Sequence, residues 1–124
     1  MPRILLIDDD EAFRNMLHKT LERAGYEIQP AANGKQALEL FRQFPPDLII
    51  TDLVMPEKEG LETIMELRRE APQAKIIAMS GGARMNPRTN LAIAEKFGAR
   101  KTLAKPFSHQ EILDAVSDVL NEPA

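Results

Sequence analysis

The chain has 124 residues, which is enough for one domain with its own hydrophobic core. It contains no cysteine, which excludes disulfides and thiolate metal sites, and its formal net charge of −3 leaves no basic block for binding nucleic acid directly. No apolar run approaches the ~20 residues that span a bilayer, and the N-terminus lacks the apolar core of a signal peptide. These features predict a cytoplasmic protein without membrane insertion.

Five short apolar runs alternate with amphipathic segments along the chain. The first, third and fourth runs are continuous and rich in Ile and Leu, a composition typical of strands that are covered on both faces in a parallel sheet. A buried helix would need a longer run than any of these. The predicted strands contain residues 4–7, 26–28, 48–50, 76–79 and 102–104.

The segments between the strands carry helical signals. The first helix ends at Gly25, the second before Pro45 and the third at Pro72, and the fourth opens at Asn86-Pro87. The apolar positions predicted for the five helices are Phe13, Met16, Leu17, Leu21 and Ala24; Ala37, Leu38 and Phe41; Leu61, Ile64, Met65 and Leu67; Leu91, Ala94 and Phe97; and Ile112, Leu113, Val116, Val119 and Leu120.

The last helix opens with a capping box, in which Ser108 is followed three residues later by Glu111. Five strands alternating with five helices predict an α/β fold, a flavodoxin-like (βα)5 three-layer sandwich. Its five-stranded parallel sheet is expected to have the order 2-1-3-4-5, with helices on both faces. The domain is expected to cover residues 1–121, with 122–124 as a short tail that frays from Asn121 onward and no output domain.

The polar residues best suited to chemistry follow the carboxyl ends of the predicted strands. Asp8-Asp9-Asp10 follow the first strand, Asp52 the third, Ser80 the fourth and Lys105 the fifth. In an open parallel sheet, ligands bind at this edge, where the strand order reverses. The order 2-1-3-4-5 would therefore place the acidic cluster opposite Asp52.

Converging carboxylates repel one another, by roughly 4 kcal/mol for a pair about 4 Å apart at an effective dielectric near 20. A divalent cation with oxygen ligands removes this repulsion, and Mg²⁺ is suitable because it keeps several waters and bridges to phosphate. Lys105 would supply a positive charge for an anion, and Ser80 would supply a hydroxyl. The set indicates phosphoryl transfer to a carboxylate.

Four short segments occur in order along the chain. They are Ile7-Asp8-Asp9, then Asp52-Leu53-Val54-Met55-Pro56-Glu57-Lys58-Glu59-Gly60, then Met79-Ser80-Gly81, and finally Lys105-Pro106-Phe107. Together these segments resemble the receiver domain of two-component response regulators, and the resemblance covers essentially the whole chain. Any one motif is weak evidence, whereas all four in order with fitting spacing are specific.

The resemblance implies a role for each acidic residue. Asp52 would be the phosphoacceptor, attacking the phosphorus of a phosphohistidine on a sensor histidine kinase or a histidine phosphotransfer protein. Asp9 and Asp52 would hold Mg²⁺ together with the backbone carbonyl of Val54, and Asp8 would orient a metal-bound water. The domain would then signal to an unknown downstream protein or relay the phosphoryl group, as a phosphoacceptor that catalyses only its own phosphorylation and slow dephosphorylation.

The resemblance also assigns the other side chains. Lys105 would pair with the carboxylate and then with the phosphoryl oxygens, and its bond to Pro106 is expected to be cis. Ser80 would move to bind the phosphoryl group. The family usually has an aromatic residue three positions before the lysine, but this position is Thr102 here, so an aromatic switch is excluded. The spacing from Ser80 to Lys105 is also longer than usual, and its surplus at 81–88 is either a mobile lid or a tolerated insertion.

Other interpretations remain open. A pseudo-receiver would bind partners through the same fold without phosphorylation. A haloacid-dehalogenase-type phosphatase would use Asp8 as its nucleophile, but the chain has no room for a cap and no second acidic pair after Lys105. A flavodoxin-like cofactor binder would need hydroxyls and amides after the first strand. Asp10 is either a helix cap or part of the acidic set, and His18 and His109 are interpreted as surface residues.

Overall fold

A computed structural model of the chain describes residues 1–52, 58–80, 96 and 98–123. The helix predicted from Asn86 lies almost wholly outside these residues, and the extended loop 81–88 lies entirely outside them. No helix in the described part combines the length and the apolar composition that crossing a membrane requires. The elements in chain order are β1 (Arg3–Ile7), α1 (Glu11–Arg23), β2 (Glu27–Ala31), α2 (Gly34–Gln43), β3 (Leu48–Asp52), α3 (Lys58–Glu70), β4 (Ile76–Ser80), β5 (Lys101–Ala104) and α4 (His109–Asn121).

The strands form a parallel sheet of order β2-β1-β3-β4-β5, which confirms the predicted order. Ile7 of β1 is in register with Thr51 of β3, so Asp8 and Asp52 come next at the end of the sheet. Strand β2 begins and ends later than predicted and contains Pro30. Proline is tolerated there because β2 is an edge strand, where one missing N–H donor disrupts no ladder on the open side.

Successive strand residues point to opposite sides, and in β1, β3 and β4 the residues on both sides are buried. Leu6 of β1 belongs to a hydrophobic cluster completed by α1 and α4, whereas Leu5 belongs to a second cluster completed by α2 and α3. Ile49 and Ile50 of β3 divide between the same two clusters, and both are buried. This confirms the three-layer sandwich and explains why β1, β3 and β4 are continuous apolar runs rather than alternating ones.

The helices begin and end where the sequence signals are. The side chain of Asp10 is the N-cap of α1 and accepts a 3.1 Å hydrogen bond from the Phe13 N–H. Gly25, with φ of 98°, follows the end of that helix in a conformation that favours glycine. The capping box of α4 is complete, because Glu111 N–H donates to Ser108 Oγ at 3.0 Å and Ser108 N–H donates to Glu111 Oε1 at 3.1 Å.

Two methionines assigned to apolar helix faces are more exposed than predicted. Met16 is 36% exposed and Met65 is 46% exposed. The buried residues of α1 include Leu17, and those of α3 include Ile64. Each methionine is adjacent in sequence to one of these residues and is therefore rotated by about 100° around the helix, which places it at the border of the buried stripe.

Residues 122 and 123 of the predicted tail have hydrogen-bond partners elsewhere in the domain. Asn121 is the last residue of α4, and Lys75 Nζ donates to the carbonyl oxygens of Leu120 at 3.1 Å and Glu122 at 2.6 Å. The Arg100 guanidinium donates to Glu122 Oε2 at 3.1 Å and to the carbonyl of the next residue, 123, at 2.9 Å. The polar composition of the tail does not indicate these contacts, because their donors, Lys75 and Arg100, lie far away in the sequence, just before β4 and β5.

Candidate functional site

The predicted charged residues meet at the carboxyl edge of the sheet, defined here as the strand ends Ile7, Asp52 and Ala104 with the residues that follow them. Lys105 Nζ donates hydrogen bonds of 2.8 Å to both Asp8 Oδ2 and Asp52 Oδ2. Asp8 is completely buried, Asp52 is 5% exposed, and the Lys105 side chain is 19% exposed. One lysine therefore bridges two nearly buried carboxylates that come from different strands.

Hydrogen bonds to β2, to Asp10 and to α1 fix the position of Asp8 after β1. Its N–H donates to the Ala31 carbonyl at 3.1 Å, and its Oδ1 accepts a 2.9 Å hydrogen bond from the Asp10 N–H. Its carbonyl oxygen accepts a 2.8 Å hydrogen bond from the Arg14 guanidinium. Because Asp10 also caps α1, the start of this helix and the acidic loop are fixed together. Of its two interpretations, Asp10 takes the role of helix cap.

Two aromatic rings complete the surroundings of the lysine. Lys105 Nζ lies 4.0 Å from the centroid of the Phe13 ring, within the range of a cation–π contact. The Phe13 and Phe107 rings pack edge to face, with centroids 5.7 Å apart and planes at 86°. The ammonium group therefore has carboxylates and an aromatic face around it.

The electrostatics of the site follow from this burial. Burial raises the pKa of the Asp8 carboxyl above its ordinary value, against the hydrogen bonds from Lys105 and from the Asp10 N–H, which lower it. Burial alone would lower the pKa of Lys105, but its hydrogen bonds to Asp52 and Asp8 outweigh that effect, and the net pKa is raised. The lysine is thus stabilised as a cation, while Asp8 carries a cost for its negative charge.

Asp8, Asp9 and Asp52 can also serve as a metal site. Each offers one carboxylate oxygen, and these three atoms lie within 4.8 Å of one another. Asp9 is exposed and the other two are buried, so the cluster opens to solvent on one side. An all-oxygen donor set with room for water suits a hard cation such as Mg²⁺. The residues present therefore fit the ion that the sequence indicated.

The structure describes the remaining predicted residues only in part. Ser80 ends β4 opposite Ala104 in the sheet, but its side chain and the whole of Val54 lie outside the described residues. Thr102 is half-buried in β5 and pairs with Ala78, two residues before the carboxyl edge. The Lys105-Pro106 peptide bond is cis.

The two histidines lie on helices away from the acidic cluster. His18 is half-buried in α1 and its Nε2 lies 3.1 Å from Glu22 Oε2, one turn further along the helix. His109 is exposed at the first residue of α4. His109 therefore agrees with its surface interpretation, whereas His18 is less exposed than predicted.

Arg14 contacts Asp8, Phe13 contacts Lys105, and Phe107 packs against Phe13, and none of these contacts was predicted from sequence. Phe13 was assigned only to the core, and Arg14 was assigned no role. Side chains on a helix lean towards its N-terminus, and α1 begins at the carboxyl edge. The N-cap at Asp10 was therefore the signal that the first turn of α1 would return to the site.

Comparisons with known proteins agree with this geometry. The sequence model of the response regulator receiver domain matches residues 4–117. The chain belongs to this family. It is 35% identical over 118 residues to the chemotaxis protein CheY of Thermotoga maritima, covering 94% of this chain and 96% of that protein.

Solved structures of receiver proteins superpose closely on the chain. Chemotaxis protein CheY4 of Vibrio cholerae superposes with a TM-score of 0.85 at 30% identity, covering 96% of this chain and 98% of that one. The response regulator TrrA of Thermotoga maritima, solved in complex with Mg(2+)-BeF, superposes with a TM-score of 0.81 at 33% identity, covering 96% and 99%. The flavodoxin-like fold predicted from sequence is thus confirmed.

Membership in this family fixes the general role of the chain. Receiver domains are signalling domains of two-component systems, and they bind Mg²⁺ at an aspartate cluster like that formed by Asp8, Asp9 and Asp52. This favours a receiver over a haloacid-dehalogenase-type phosphatase with Asp8 as nucleophile, and over a cofactor binder. A pseudo-receiver has the same fold, so phosphorylation itself separates that alternative.

Proposed function

We propose that this receiver accepts a phosphoryl group from a phosphohistidine partner onto Asp52 in a Mg²⁺-dependent reaction. The modified domain then signals through protein–protein interactions or relays the phosphoryl group. The observation that carries the proposal is the bridge from Lys105 to Asp8 and Asp52, at 2.8 Å each, beside the exposed Asp9. Among the residues that the structure describes, Lys105 bridges two of three clustered carboxylates at the edge where parallel sheets bind ligands.

The transfer needs little covalent chemistry from the domain. A carboxylate oxygen of Asp52 forms a bond to phosphorus while the P–N bond to the partner's imidazole breaks. The imidazole leaves with the electron pair of that bond and takes up a proton, and Asp52 becomes an acyl phosphate. Lys105, which donates to Asp52 Oδ2 before the reaction, donates to a phosphoryl oxygen afterwards.

The acidic residues divide the binding of the metal ion. Asp9 and Asp52 would hold Mg²⁺ directly with the carbonyl of Val54, while Asp8 would orient a bound water. When bound, the ion would neutralise negative charge on the carboxylates and on the phosphoryl group. Asp8 is suited to an indirect role because its Oδ1 and Oδ2 already accept hydrogen bonds from the Asp10 N–H and from Lys105.

The remaining parts of the proposal concern signal output. Ser80 would bind the phosphoryl group through its hydroxyl. Thr102, at the position where the family usually has an aromatic switch residue, would act as a smaller switch side chain. Residues 1–121 would form the receiver unit. Its phosphoryl donor would be a sensor histidine kinase or a histidine phosphotransfer protein in the cytoplasm, and its target would be a further protein.

The test is an intact-mass measurement after incubation with Mg²⁺ and acetyl phosphate. Wild-type protein is expected to gain the mass of one phosphoryl group, and Asp52→Asn is expected to gain none. Asp118→Asn is a matched control, because it changes an exposed carboxylate on α4 in the same way. The gain should disappear when a chelator removes Mg²⁺.

Three outcomes would contradict the proposal. A wild-type protein that stays unmodified by acetyl phosphate and by phosphohistidine donors that modify a known receiver would be a pseudo-receiver. A gain that persists in Asp52→Asn would place the phosphoryl group on another residue. Loss of phosphoryl turnover in Asp8→Asn alone, with Asp52→Asn still active, would instead support the phosphatase interpretation.

A further inference from the structure

We propose that Phe13 is a positioning residue for phosphoryl transfer, because its ring holds the Lys105 ammonium over the acidic site while the carboxylates change partners. This inference rests on the proposed function. Lys105 Nζ lies 4.0 Å from the Phe13 ring centroid, well inside the roughly 6 Å limit for cation–π attraction. The ring faces a cation that already bridges Asp8 and Asp52.

The surroundings of the ammonium strengthen this contact. Only 19% of the Lys105 side chain is exposed, so little water competes with the ring for the positive charge. The two carboxylates that Lys105 contacts, Asp8 and Asp52, are fully and nearly fully buried. Cation–π attraction is strongest where the cation is desolvated, as it is here.

The Phe13 ring is itself held in place. The Phe13 N–H donates to the N-cap Asp10 at 3.1 Å, which fixes the first turn of α1 at the carboxyl edge. The Phe107 ring packs against the Phe13 ring edge to face, with planes at 86°. Phe107 lies two residues after Lys105, so the same strand end supplies both the cation and the support for its aromatic partner.

The ring contact has a specific use during the reaction. A metal ion and a phosphoryl group both compete for the carboxylate oxygens that Lys105 now contacts. A lysine side chain released from these contacts regains rotamer freedom and would leave the site part of the time. The ring binds no anion or metal, so it retains the ammonium near the position where the phosphoryl oxygens arrive.

The decisive experiment changes the electrons of the ring and leaves its size nearly constant. Phenylalanine analogues with one to five ring fluorines, incorporated at position 13, weaken the attraction for a cation step by step. The rate constant for phosphorylation by acetyl phosphate should fall with each step, by about 3- to 10-fold in total. Phe13→Trp should retain the rate, and Phe13→Leu should lose it to a similar extent as full fluorination.

Two further measurements exclude a general disturbance of the site. Mg²⁺ affinity, followed by NMR titration, should change less than about twofold across the series, because no metal ligand changes. The Lys105 methylene protons next to Nζ should show an upfield ring-current shift that disappears in Phe13→Leu. Phe44→Leu is the control, because it removes a ring that lies 5.6 Å from the Arg3 guanidinium at the opposite edge of the sheet.

The outcomes separate this inference from the proposed function. If wild-type protein is phosphorylated and the rate is the same at every level of fluorination, Phe13 is only a packing residue and the inference is wrong. An unshifted Lys105 methylene signal in wild type would also overturn it. If no variant, including wild type, accepts a phosphoryl group, the proposed function has failed and the inference fails with it.

Discussion

Cationic side chains contact oxygen atoms at both edges of the sheet, but the oxygen groups differ in type and in exposure. At the amino edge, defined here by the beginnings of the strands, Lys75 contacts backbone carbonyls, and Arg3 pairs with Glu27 at 2.8 Å. The Glu27 side chain is 47% exposed, so this pair is largely hydrated. At the carboxyl edge, Lys105 instead meets two carboxylates that are almost fully buried, Asp8 and Asp52.

The difference predicts that the amino edge is structural and that the carboxyl edge binds a ligand. At the amino edge, Lys75 donates to carbonyl oxygens and Arg3 pairs with an exposed carboxylate, so these cations have partners without a bound ligand. At the carboxyl edge, Lys105 is shared between two carboxylates, with the third, Asp9, beside them. Buried charged groups are costly, and sites that retain them commonly use them for binding or chemistry.

Removal of Lys105 should have the largest effect of any substitution considered for this comparison. Lys105→Met leaves Asp8 buried beside Asp52 without its cation, so the free energy of unfolding at pH 7 should fall by about 2 to 3 kcal/mol. Phosphorylation by acetyl phosphate should slow at least about 100-fold, since the donor to the transferring group is lost. Urea denaturation and intact mass measure the two effects, and added Mg²⁺ should recover part of the stability.

The control for this substitution is Lys101→Met on the same strand. Lys101 pairs with Asp118 at 2.9 Å, but the two side chains are 41% and 63% exposed. Its loss should change stability by about 0.5 kcal/mol or less and leave phosphorylation unchanged. Equal effects of the two substitutions would mean that burial of the carboxylates does not distinguish the carboxyl edge.

The second prediction concerns the cost of charge on Asp8. Burial raises its pKa above 3.8, so the folded protein keeps a proton on Asp8 at a higher pH than the unfolded chain does. Stability from this group is therefore fully present below 3.8 and is lost as pH rises through the folded pKa. Asp8→Asn removes that loss, so the variant should be more stable than wild type at pH 7. This gain in the free energy of unfolding should be smaller than the loss caused by Lys105→Met.

The test compares urea midpoints of wild type and Asp8→Asn across a pH series. The advantage of the variant should shrink as pH falls towards 3.8, where wild-type Asp8 becomes protonated. Asp118→Asn serves as the control for the chemical change at an exposed position. A variant that is less stable than wild type at pH 7 would show that the hydrogen bond from Lys105 outweighs the cost of burial.

The sequence predicted most of the carboxyl edge because its chemistry is concentrated in short motifs. Asp8, Asp9 and Asp52 follow continuous apolar runs, and a parallel sheet brings the ends of such runs together. Lys105 could be assigned because its segment resembles the receiver family. Phe13 was missed as a contact of the site, since apolar periodicity indicates which face of a helix is buried but not which residues of that face meet a lysine.

The amino edge was predicted less well, and the reason is physical. Lys75 donates to backbone carbonyl oxygens, and Arg100 donates to the Glu122 side chain. No sequence motif marks these acceptors. Any residue offers a carbonyl oxygen, and only the fold determines which one lies near a cation. The polar composition around Asn121 consequently predicted a frayed tail and did not indicate these contacts.

The third prediction tests whether the amino edge is purely structural. Lys75→Met removes the hydrogen bonds to the carbonyl oxygens of Leu120 and Glu122. Charge-assisted bonds of this kind, partly hydrated, should be worth about 1 kcal/mol in total, measured as a lower urea midpoint. Phosphorylation should keep its wild-type rate. A slower rate would indicate that the two edges are coupled through α4, and the comparison would then have to include that helix.

The smallest effect is expected at the exposed pair of the amino edge. Glu27→Gln keeps the size of the side chain and an oxygen acceptor for the Arg3 guanidinium, but it removes the charge. Arg3 also donates its N–H to Asp47 Oδ2 at 2.7 Å, so the start of β1 stays fixed. The change in the free energy of unfolding should be about 0.5 kcal/mol or less and should vanish in high salt, because exposed pairs are screened. A salt-independent loss above about 1 kcal/mol would mean that charge pairing at this edge is as important for stability as the buried pairs at the carboxyl edge.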